Sequence, residues 1–341
     1  EILYLMGARP VYLGQTTRVI GVEPIPMEEL GRPRIDVTLR ISGLLRDMYP
    51  NLIRLVDEAV ACIAALDEDE SQNFVKKHVN AEMRKLLDEG LSRQEAADQS
   101  TLRVFGCAPG AYGAGVSHLI GTRQWENYED IADVYENHSS HAYSSKLHGK
   151  KLPDLFRRRL SQVTMTIKNE SSVETDMLDS DDFYAYHGGL IASVRKNSGR
   201  APIALTGHTD DPERPVLRDV ALETARIMRT RVLNPIWLEG LKRHGFKGAQ
   251  EISAAVDSFF GWDATAQAGR DWMYEEIAAR YLFDNKTREW MESVNRWAVH
   301  AICERLLEAE KRGMWKAEPK TLDGVTQIYM RAEGLIEEEL R

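Results

Sequence analysis

Cysteines are few in this 341-residue sequence, and long apolar runs are missing. The three cysteines, Cys62, Cys107 and Cys303, lie far apart, so their spacing supplies neither a disulfide framework nor a CxxC metal site. We therefore expect a reducing, cytoplasmic environment. Apolar runs such as LVDEAVACIAAL are interrupted by acids well short of the roughly 20 residues that a membrane helix needs. The sequence predicts no membrane span.

Basic stripes and the usual nucleotide and zinc motifs are also missing. The formal net charge is -9 and the lysines and arginines are scattered, which argues against nucleic acid as a partner. The glycine-rich stretch at 110–121 has no Gly-Lys-Ser/Thr, so we expect no nucleotide site on this chain. Its glycines serve either tight turns or the close approach of a flat ligand. HExxH is lacking, and we interpret the histidine-containing stretch 138–148 as a solvated loop.

The pattern along the chain predicts an α/β N-terminal part, with a parallel sheet and flanking helices, followed by a predominantly α-helical C-terminal domain. Apolar residues recur at helical spacing from 52 to 66, after a proline suited to a first turn, which predicts a helix packed on the sheet. The chain opens on Glu1 without a leader, and we expect it to be a piece of a longer protein. We divide it into an α/β segment at 1–66, a helical and loop region at 67–168, an acidic and aromatic segment with a strand and a helix at 169–235, and a helical domain at 236–341.

Acidic residues are concentrated in NESSVETDMLDSDDFYAYHGGL, residues 169–190, where six carboxylates fall between Glu170 and Asp182. A calcium loop does not fit, because Tyr184 stands where the loop requires glycine. A solvated surface loop is one interpretation. However, the FYAYHGG that follows is too aromatic to be left in water, so the acids are expected at the edge of something buried. A cleft with rings on one side and carboxylates and His187 on the other would suit a flat macrocycle and a divalent cation.

Five blocks resemble the C-terminal part of the large subunit of aerobic cobaltochelatase, and they are similar to the porphyrin-binding large subunit of magnesium chelatase. They occur in order over nearly the whole chain, at 29–60, 73–78 (NFVKKH), 103–115 (RVFGCAPGAYGAG), 170–190 and 231–266. The chain would be roughly the last quarter to third of such a subunit. A histidine-and-glutamate block that the family carries further upstream is missing.

The resemblance implies ATP-dependent insertion of Co²⁺, as substrate, into hydrogenobyrinic acid a,c-diamide during cobalamin biosynthesis. It also implies partners: AAA+ subunits that hydrolyse ATP with Mg²⁺, while the large subunit binds the corrinoid or tetrapyrrole. YAYHGGL at 184–190 resembles the cobalt form of the family. Two alternatives stay open, namely a magnesium chelatase subunit acting on protoporphyrin IX and a docking module whose acidic, helical C-terminal half engages the AAA+ partner without doing chemistry.

Inserting a metal into a tetrapyrrole requires the cation to lose water and the ring to lose two pyrrole protons, and carboxylates and a neutral histidine can serve both steps. Arginines can pair with the carboxylates at the ring periphery. The structural alternatives are that the histidine caps a turn and that the arginines bridge domains. The hypothesis assigns His187 as metal ligand or base, Glu170 as a catalytic group and cation escort, Asp176 and Asp182 as metal-binding escorts, and Tyr184, Tyr186, Arg34, Arg46 and Arg103 as substrate-binding residues.

Overall fold

The structure is a computed structural model that describes residues 1–211 and 213–339, without the side chain of residue 339. It divides into two units: unit 1 comprises Glu1–Gly113 and Glu136–Arg159, and unit 2 comprises Ala114–Tyr135 and Leu160–Arg341. Small mixed sheets with helices give way to a helical C-terminal part, so the predicted fold class is confirmed. Among the described helices, none combines the length and the apolar character that crossing a membrane requires.

Unit 1 is built from six strands and six complete helices. The strands are β1 Ala8–Tyr12, β2 Val19–Pro24, β3 Leu39–Arg40, β4 Val104–Gly106, β5 His141–Tyr143 and β6 His148–Lys151. The helices are α1 Ile2–Met6, α2 Met27–Leu30, α3 Gly43–Met48, α4 Pro50–Ala64, α5 Phe74–Asp88 and α6 Arg93–Ser100. Helices α8 Tyr128–Ser139 and α9 Pro153–Gln162 contribute residues to both units.

The sheets of unit 1 are mixed rather than purely parallel. Strands β1 and β2 pair antiparallel, because the short connection between them is too short for the crossover that a parallel pair needs. The second sheet has the order β3-β4-β5-β6, in which only β3 and β4 are parallel. Helix α4 begins at Pro50, as predicted, and packs its apolar side into the core through Ala59, Val60 and Ile63.

The stretch 138–148 is the end of α8 followed by a hairpin, so its interpretation as a loop is wrong, while Ser145 and His148 are exposed as that interpretation expects. His138 lies in the last turn of α8. His141 is a residue of β5, and His148 is a residue of the neighbouring strand β6. Of the serines that suggested solvent exposure, Ser139 and Ser140 are fully buried. Pairing with β4 accounts for this order, and a single-sequence pattern of polar residues does not reveal such a partner.

Unit 2 combines a three-stranded sheet with a helical core. Its strands are β7 Met165–Glu170, β8 Ile203–His208 and β9 Val216–Asp219. Its α-helices are α7 Val116–Thr122, α10 Asp181–Phe183, α11 Gly189–Ser198, α12 Val220–Ile227, α13 Pro235–Lys242, α14 Gly245–Ala266, α15 Asp271–Ile277, α16 Asn285–Lys311 and α17 Pro319–Glu339. Three π-helical segments interrupt this series: π1 Tyr184–Gly188, π2 Met228–Val232 and π3 Ala278–Phe283. In the sheet, β7 and β8 run parallel and β9 runs antiparallel to β8.

Segment π1 lies directly against α14, and glycines make this contact. A Cβ atom at Gly188 would lie 2.1 Å from Thr265 Oγ1, and one at Gly261 would lie 2.4 Å from the ring of Tyr184. At Gly189 the added atom would meet the Tyr135 ring at 2.5 Å. The His-Gly-Gly sequence is therefore explained by packing, because neither glycine leaves room for a side chain.

We predict that Gly188→Ala lowers the free energy of unfolding by about 1–3 kcal/mol, because the new methyl group overpacks the contact with Thr265. Gly240→Ala is the matched control, since Gly240 is helical and has nothing within 4 Å of an added Cβ. The control should gain up to ~1 kcal/mol from helix propensity. Urea unfolding followed by tryptophan fluorescence measures both, and equal stabilities for the two variants would contradict the packing explanation.

Candidate functional site

One face of the unit 2 sheet carries polar side chains and packs against other elements of the same unit. Because successive side chains alternate and paired residues share a side, the strand register places these residues together. The polar sheet face carries Thr166, Lys168 and Glu170 from β7, Thr206 and His208 from β8, and Arg218 from β9, together with the apolar Ala204 and Val216. Segment π1 contacts it through His187, whose Nε2 is 3.1 Å from Thr166 Oγ1, and α12 contacts it through Glu223, whose Oε1 is 3.2 Å from His208 Nε2.

His187 is enclosed at the inner end of this face. It is 3% exposed, and its ring meets the Trp262 ring edge-on with 5.9 Å between centroids. Burial, with the nearby charge of Lys168, lowers the pKa of His187 to about 3, so the imidazole is neutral at physiological pH. Its side chain bonds to Thr166 instead of capping the following turn, so the turn-cap alternative is wrong. Neutral imidazole is the form that binds metals, but this ring lies inside the protein.

Glu170 lies at the other end of β7, beside the ammonium group of Lys168. Lys168 Nζ is 3.6 Å from Glu170 Oε2 and lies 3.8 Å from the centre of the Phe183 ring. Burial lowers the pKa of Lys168, since the charged ammonium is partly removed from water. The other oxygen of Glu170 accepts a hydrogen bond from the Ser172 backbone N–H at 3.1 Å. Asp182 is exposed on α10, where its backbone N–H donates to Ser180 Oγ.

A cleft of about 590 Å³ opens beside the outer end of the polar sheet face. Its lining comprises Ser172, Val173, Glu174, Thr175, Asp176, Asp179, His208, Asp210, Arg226, Arg231, Trp237, Leu241 and Glu251. Arg231 holds the acidic loop in place, because its Nη2 donates to Asp176 Oδ1 at 2.6 Å and its Nη1 to Asp179 Oδ1 at 2.5 Å. Burial raises the pKa of Asp176 above its usual value. Of the predicted site residues, Asp176 alone lines this cleft.

Glu223 is a buried carboxylate that the sequence did not single out. It is 1% exposed, and it accepts two hydrogen bonds from Arg226, at 2.8 and 2.6 Å, with Arg218 3.4 Å away. Burial opposes its ionisation, yet the hydrogen bonds and charge of Arg226, with Arg218 and His208, bring its pKa below the usual range. Its position in the sequence indicates this burial. Glu223 follows Val220 by three residues and precedes Ile227 by four, so it lies on the apolar side of its helix.

The two candidate tyrosines differ in their surroundings. Tyr184 is 1% exposed and its ring packs on Gly261 of α14, so neither side of the ring offers a surface to a macrocycle in this conformation. Burial raises the pKa of Tyr184 far above its usual value. Tyr186 is half-buried in π1. The sequence therefore identified a segment that is indeed buried, while the stacking role stays a prediction.

The three candidate arginines lie in unit 1 and donate to partners within that unit. Arg34 makes a bidentate pair with Glu68 at 2.7 Å for both bonds, and it also donates to two backbone carbonyls. Arg103 Nε donates to Asp36 Oδ1 at 2.6 Å. Burial disfavours the Asp36 carboxylate, but Arg103, His78 and a further arginine lower its pKa to about 2. These contacts support a structural role, joining segments of unit 1.

Arg46 organises the glycine-rich stretch. Its guanidinium pairs with Asp47 and donates to the carbonyls of Ala108 and Ala111, at 2.7 and 3.1 Å. The glycines at 110, 113 and 115 have φ values of 76°, 81° and 77°, a conformation that favours residues without a Cβ. The geometry supports the interpretation of these glycines as turn residues.

A metal centre does not follow from the side chains as they are placed. Within the described residues, no group of three or more His, Cys, Asp and Glu side chains is arranged to hold a metal ion. The predicted metal-binding residues are separated accordingly: Asp176 lines the cleft, Asp182 is on the surface of α10 and His187 is enclosed. Their roles toward a cation stay predictions.

We predict that His187 makes folding pH-dependent. Its pKa is about 3 in the folded protein and 6.5 when unperturbed, so only the unfolded chain binds this proton between those values. Its contribution to stability is complete above pH 6.5 and falls as the pH drops toward 3, by up to about 1.4 kcal/mol per pH unit. His187→Gln should remove this part of the slope in urea unfolding between pH 4 and 7. His118→Gln controls for losing an exposed histidine, and identical slopes in all three proteins would contradict the assignment.

The chain is similar to proteins of one known family. Residues 1–322 match the family model described as CobN/Magnesium Chelatase. Aerobic cobaltochelatase subunit CobN of Pseudomonas aeruginosa is 40% identical over 333 residues, covering 98% of this chain and 27% of that protein. The H subunit of the magnesium chelatase of Rhodobacter capsulatus is 35% identical over 347 residues, covering 99% of this chain and 28% of that protein.

A solved structure gives the same result. The catalytic subunit of cobaltochelatase from Mycobacterium tuberculosis matches with a TM-score of 0.93 and 42% identity, over 98% of this chain and 28% of that one. The chain thus spans between a quarter and a third of the length of these relatives. The resemblance noted in the sequence is confirmed, and the chain belongs to the CobN/magnesium chelatase family.

Proposed function

We propose that the chain is part of the tetrapyrrole-binding large subunit of a cytoplasmic, ATP-dependent chelatase that inserts Co²⁺ into hydrogenobyrinic acid a,c-diamide in cobalamin biosynthesis. The observation that carries the proposal is the likeness, along nearly the whole chain, to a cobaltochelatase catalytic subunit. Identity is also higher to the cobalt relative than to the magnesium relative. Insertion of Mg²⁺ into protoporphyrin IX is the alternative within the family.

In this proposal ATP is hydrolysed with Mg²⁺ on separate AAA+ partner subunits. The glycine-rich stretch supports the division of labour, because its glycines at positive φ form turns. Its sequence lacks the Gly-Lys-Ser/Thr that would reach phosphates and Mg²⁺. The contribution of this chain is then to bind the ring and to deliver the cation.

Asp176 is the residue that we assign to cation delivery. It lines the cleft, and the hydrogen bonds from Arg231 and from the Leu178 backbone both end on its Oδ1. Oδ2 is then the oxygen that we assign to the cation. A carboxylate held by Arg231 keeps a fixed geometry, so it can replace one water of a hydrated divalent ion without first being ordered. Asp182, exposed on α10, would act earlier along the same route.

His187 and Glu170 are also assigned to the proposed reaction, but they differ in whether the structure must change before they can act. Glu170 is partly exposed at the end of β7 and can take up a proton where it lies. His187 must first become accessible, because its ring is enclosed by Thr166 and Trp262. Segment π1 is the element that would have to move, and π-helical turns are often found at functional sites.

The metal and ring specificity is directly testable in the full-length subunit assembled with its ATPase partners. We expect ATP-dependent insertion, followed by absorbance, with Co²⁺ and hydrogenobyrinic acid a,c-diamide, and none with Mg²⁺ and protoporphyrin IX. Omitting ATP is the control for spontaneous metallation. Turnover with the magnesium pair alone would replace the cobalt assignment by the alternative.

The role of Asp176 is tested by Asp176→Asn in the same assembly. The substitution keeps the shape and removes the charge, so we expect the KM for Co²⁺ to rise by roughly 10-fold, as for the loss of one charge-assisted contact. Tetrapyrrole affinity should not change. Glu239→Gln is the control, because Glu239 is an exposed acid of unit 2 that does not line the cleft. An unchanged KM in Asp176→Asn would remove the residue from the mechanism.

A second candidate is a docking module for the AAA+ partner that does no chemistry. The observation favouring it is the separation of the predicted metal-binding side chains within the described residues. The two candidates differ in the assembled enzyme: substitutions at Asp176 and Glu170 alter metal kinetics if the chain forms part of the site. If both variants insert metal normally while charge reversal on the C-terminal helices abolishes ATPase binding, the docking role is favoured.

A further inference from the structure

The sheet of unit 2 has its polar and apolar faces reversed relative to the usual arrangement. The apolar sheet face carries Met165 and Ile167 of β7, Ile203 and Leu205 of β8, and Leu217 of β9, together with Asn169, Gly207 and Asp219. Close contacts confirm the shared side, since a Cβ at Gly207 would meet both Asn169 Oδ1 and Leu217 Cδ2. The polar sheet face is the one that packs against π1 and α12.

The apolar sheet face lies open to solvent. The exposed fractions are 45% for Met165, 41% for Ile167, 57% for Ile203 and 59% for Leu217. Single exposed aliphatic residues are ordinary, but a contiguous exposed apolar group is typical of a contact surface, and another protein surface is one of the usual partners. Opposite it, Thr166 and Thr206 are buried, so these strands turn most of their large apolar side chains outward and both threonines inward.

The strand directions give a second reason to expect a cover. Strands β7 and β8 are parallel, and sheets made entirely of parallel strands occur almost only with both faces covered, whereas here the parallel pair is extended by the antiparallel β9. Here π1 and α12 cover one face. Within the described residues, β7 is also an edge strand of this sheet.

The chemistry of the face selects the kind of partner. Among the register positions of this face, all of them in the described part of the chain, Asp219 alone is charged, and its side chain caps α12. Interfaces that form and dissociate carry polar and charged residues, whereas permanent ones resemble a domain core. A surface almost without charge therefore fits a permanent contact better than a partner that cycles on and off.

We propose that the apolar sheet face is buried in the full-length subunit by an apolar layer from the part of the polypeptide outside these 341 residues. The relatives supply the room for such a layer, because this chain covers only 27–28% of their length. The layer packs on Ile203 and Leu217 and closes the second side of the parallel pair. The inference rests on membership of the family and is independent of which metal is inserted.

Cysteine labelling of the full-length subunit tests the proposal. Ile203→Cys and Leu217→Cys are compared with Leu222→Cys, a position on α12 that is 71% exposed and lies outside the face. We expect a maleimide reagent to label the two face positions at least roughly 100-fold more slowly than the control, as for groups reached only through local opening. The labelling of the parent protein, which contains Cys62, Cys107 and Cys303, is subtracted.

Each other outcome overturns the proposal. Rapid labelling of both face positions in the subunit alone would show that the face is uncovered. Protection that appears only after the ATPase subunits are added would assign the face to that partner, and protection that depends on protein concentration would assign it to a second copy. None of these outcomes bears on metal specificity, so failure here is distinguishable from failure of the proposed function.

A charge introduced into the face provides an independent measurement. Lysine at an exposed position is nearly neutral, whereas lysine in a covered apolar contact is strongly unfavourable. Ile203→Lys should therefore lower the Tm of the full-length subunit by several degrees, while Leu222→Lys leaves it unchanged. Equal melting temperatures for the two variants would argue against a cover on this face.

Discussion

The contact of π1 with α14 is the constraint on which the rest of unit 2 depends. Glycines at 188 and 261 bring the two elements together so closely that a single methyl group at either position would collide. From α14, Trp262 reaches across and donates its indole N–H to the carbonyl of Met177 at 2.7 Å. Met177 and its neighbour Leu178 are buried, so the middle of the acidic segment is anchored from beneath. The carboxylates that line the cleft project from this anchored loop.

This arrangement accounts for the electrostatics of the candidate site. Because π1 is pressed against the helix, His187 is cut off from water and stays neutral beside the charge of Lys168. The same polar layer continues outward to His208 and Glu223, where Arg226 and Arg218 balance the buried carboxylate. Polar side chains thus follow one another along one sheet face, from the enclosed imidazole of His187 to the open cleft. A buried polar layer of this kind costs free energy unless its hydrogen bonds are made.

Part of this was predictable from local pattern and part was not. The helix from Pro50 followed from its apolar periodicity, and the burial of Tyr184, Ala185 and His187 followed from an aromatic run that water does not favour. By contrast, the contacts of His187 with Thr166, and of Arg103 with Asp36, join residues 21 and 67 positions apart. No periodicity encodes such pairs, because they depend on how the elements pack. For the same reason, the arginines looked equally suited to substrate carboxylates and to internal ones.

The reversed sheet joins these observations. A three-stranded sheet in an isolated domain would bury Ile203 and Leu217 and leave Lys168 and Glu170 in water, because that assignment gains apolar burial and avoids charge desolvation. This sequence does the opposite, and covering the apolar face as we propose would supply apolar burial that offsets the cost of partly desolvating the charged groups. The buried polar face and the exposed apolar face are then two consequences of the same alternation of residues along the strands. In our proposal the sheet separates the candidate cleft from the apolar layer that covers its other face, and burial of that face supplies hydrophobic stabilisation.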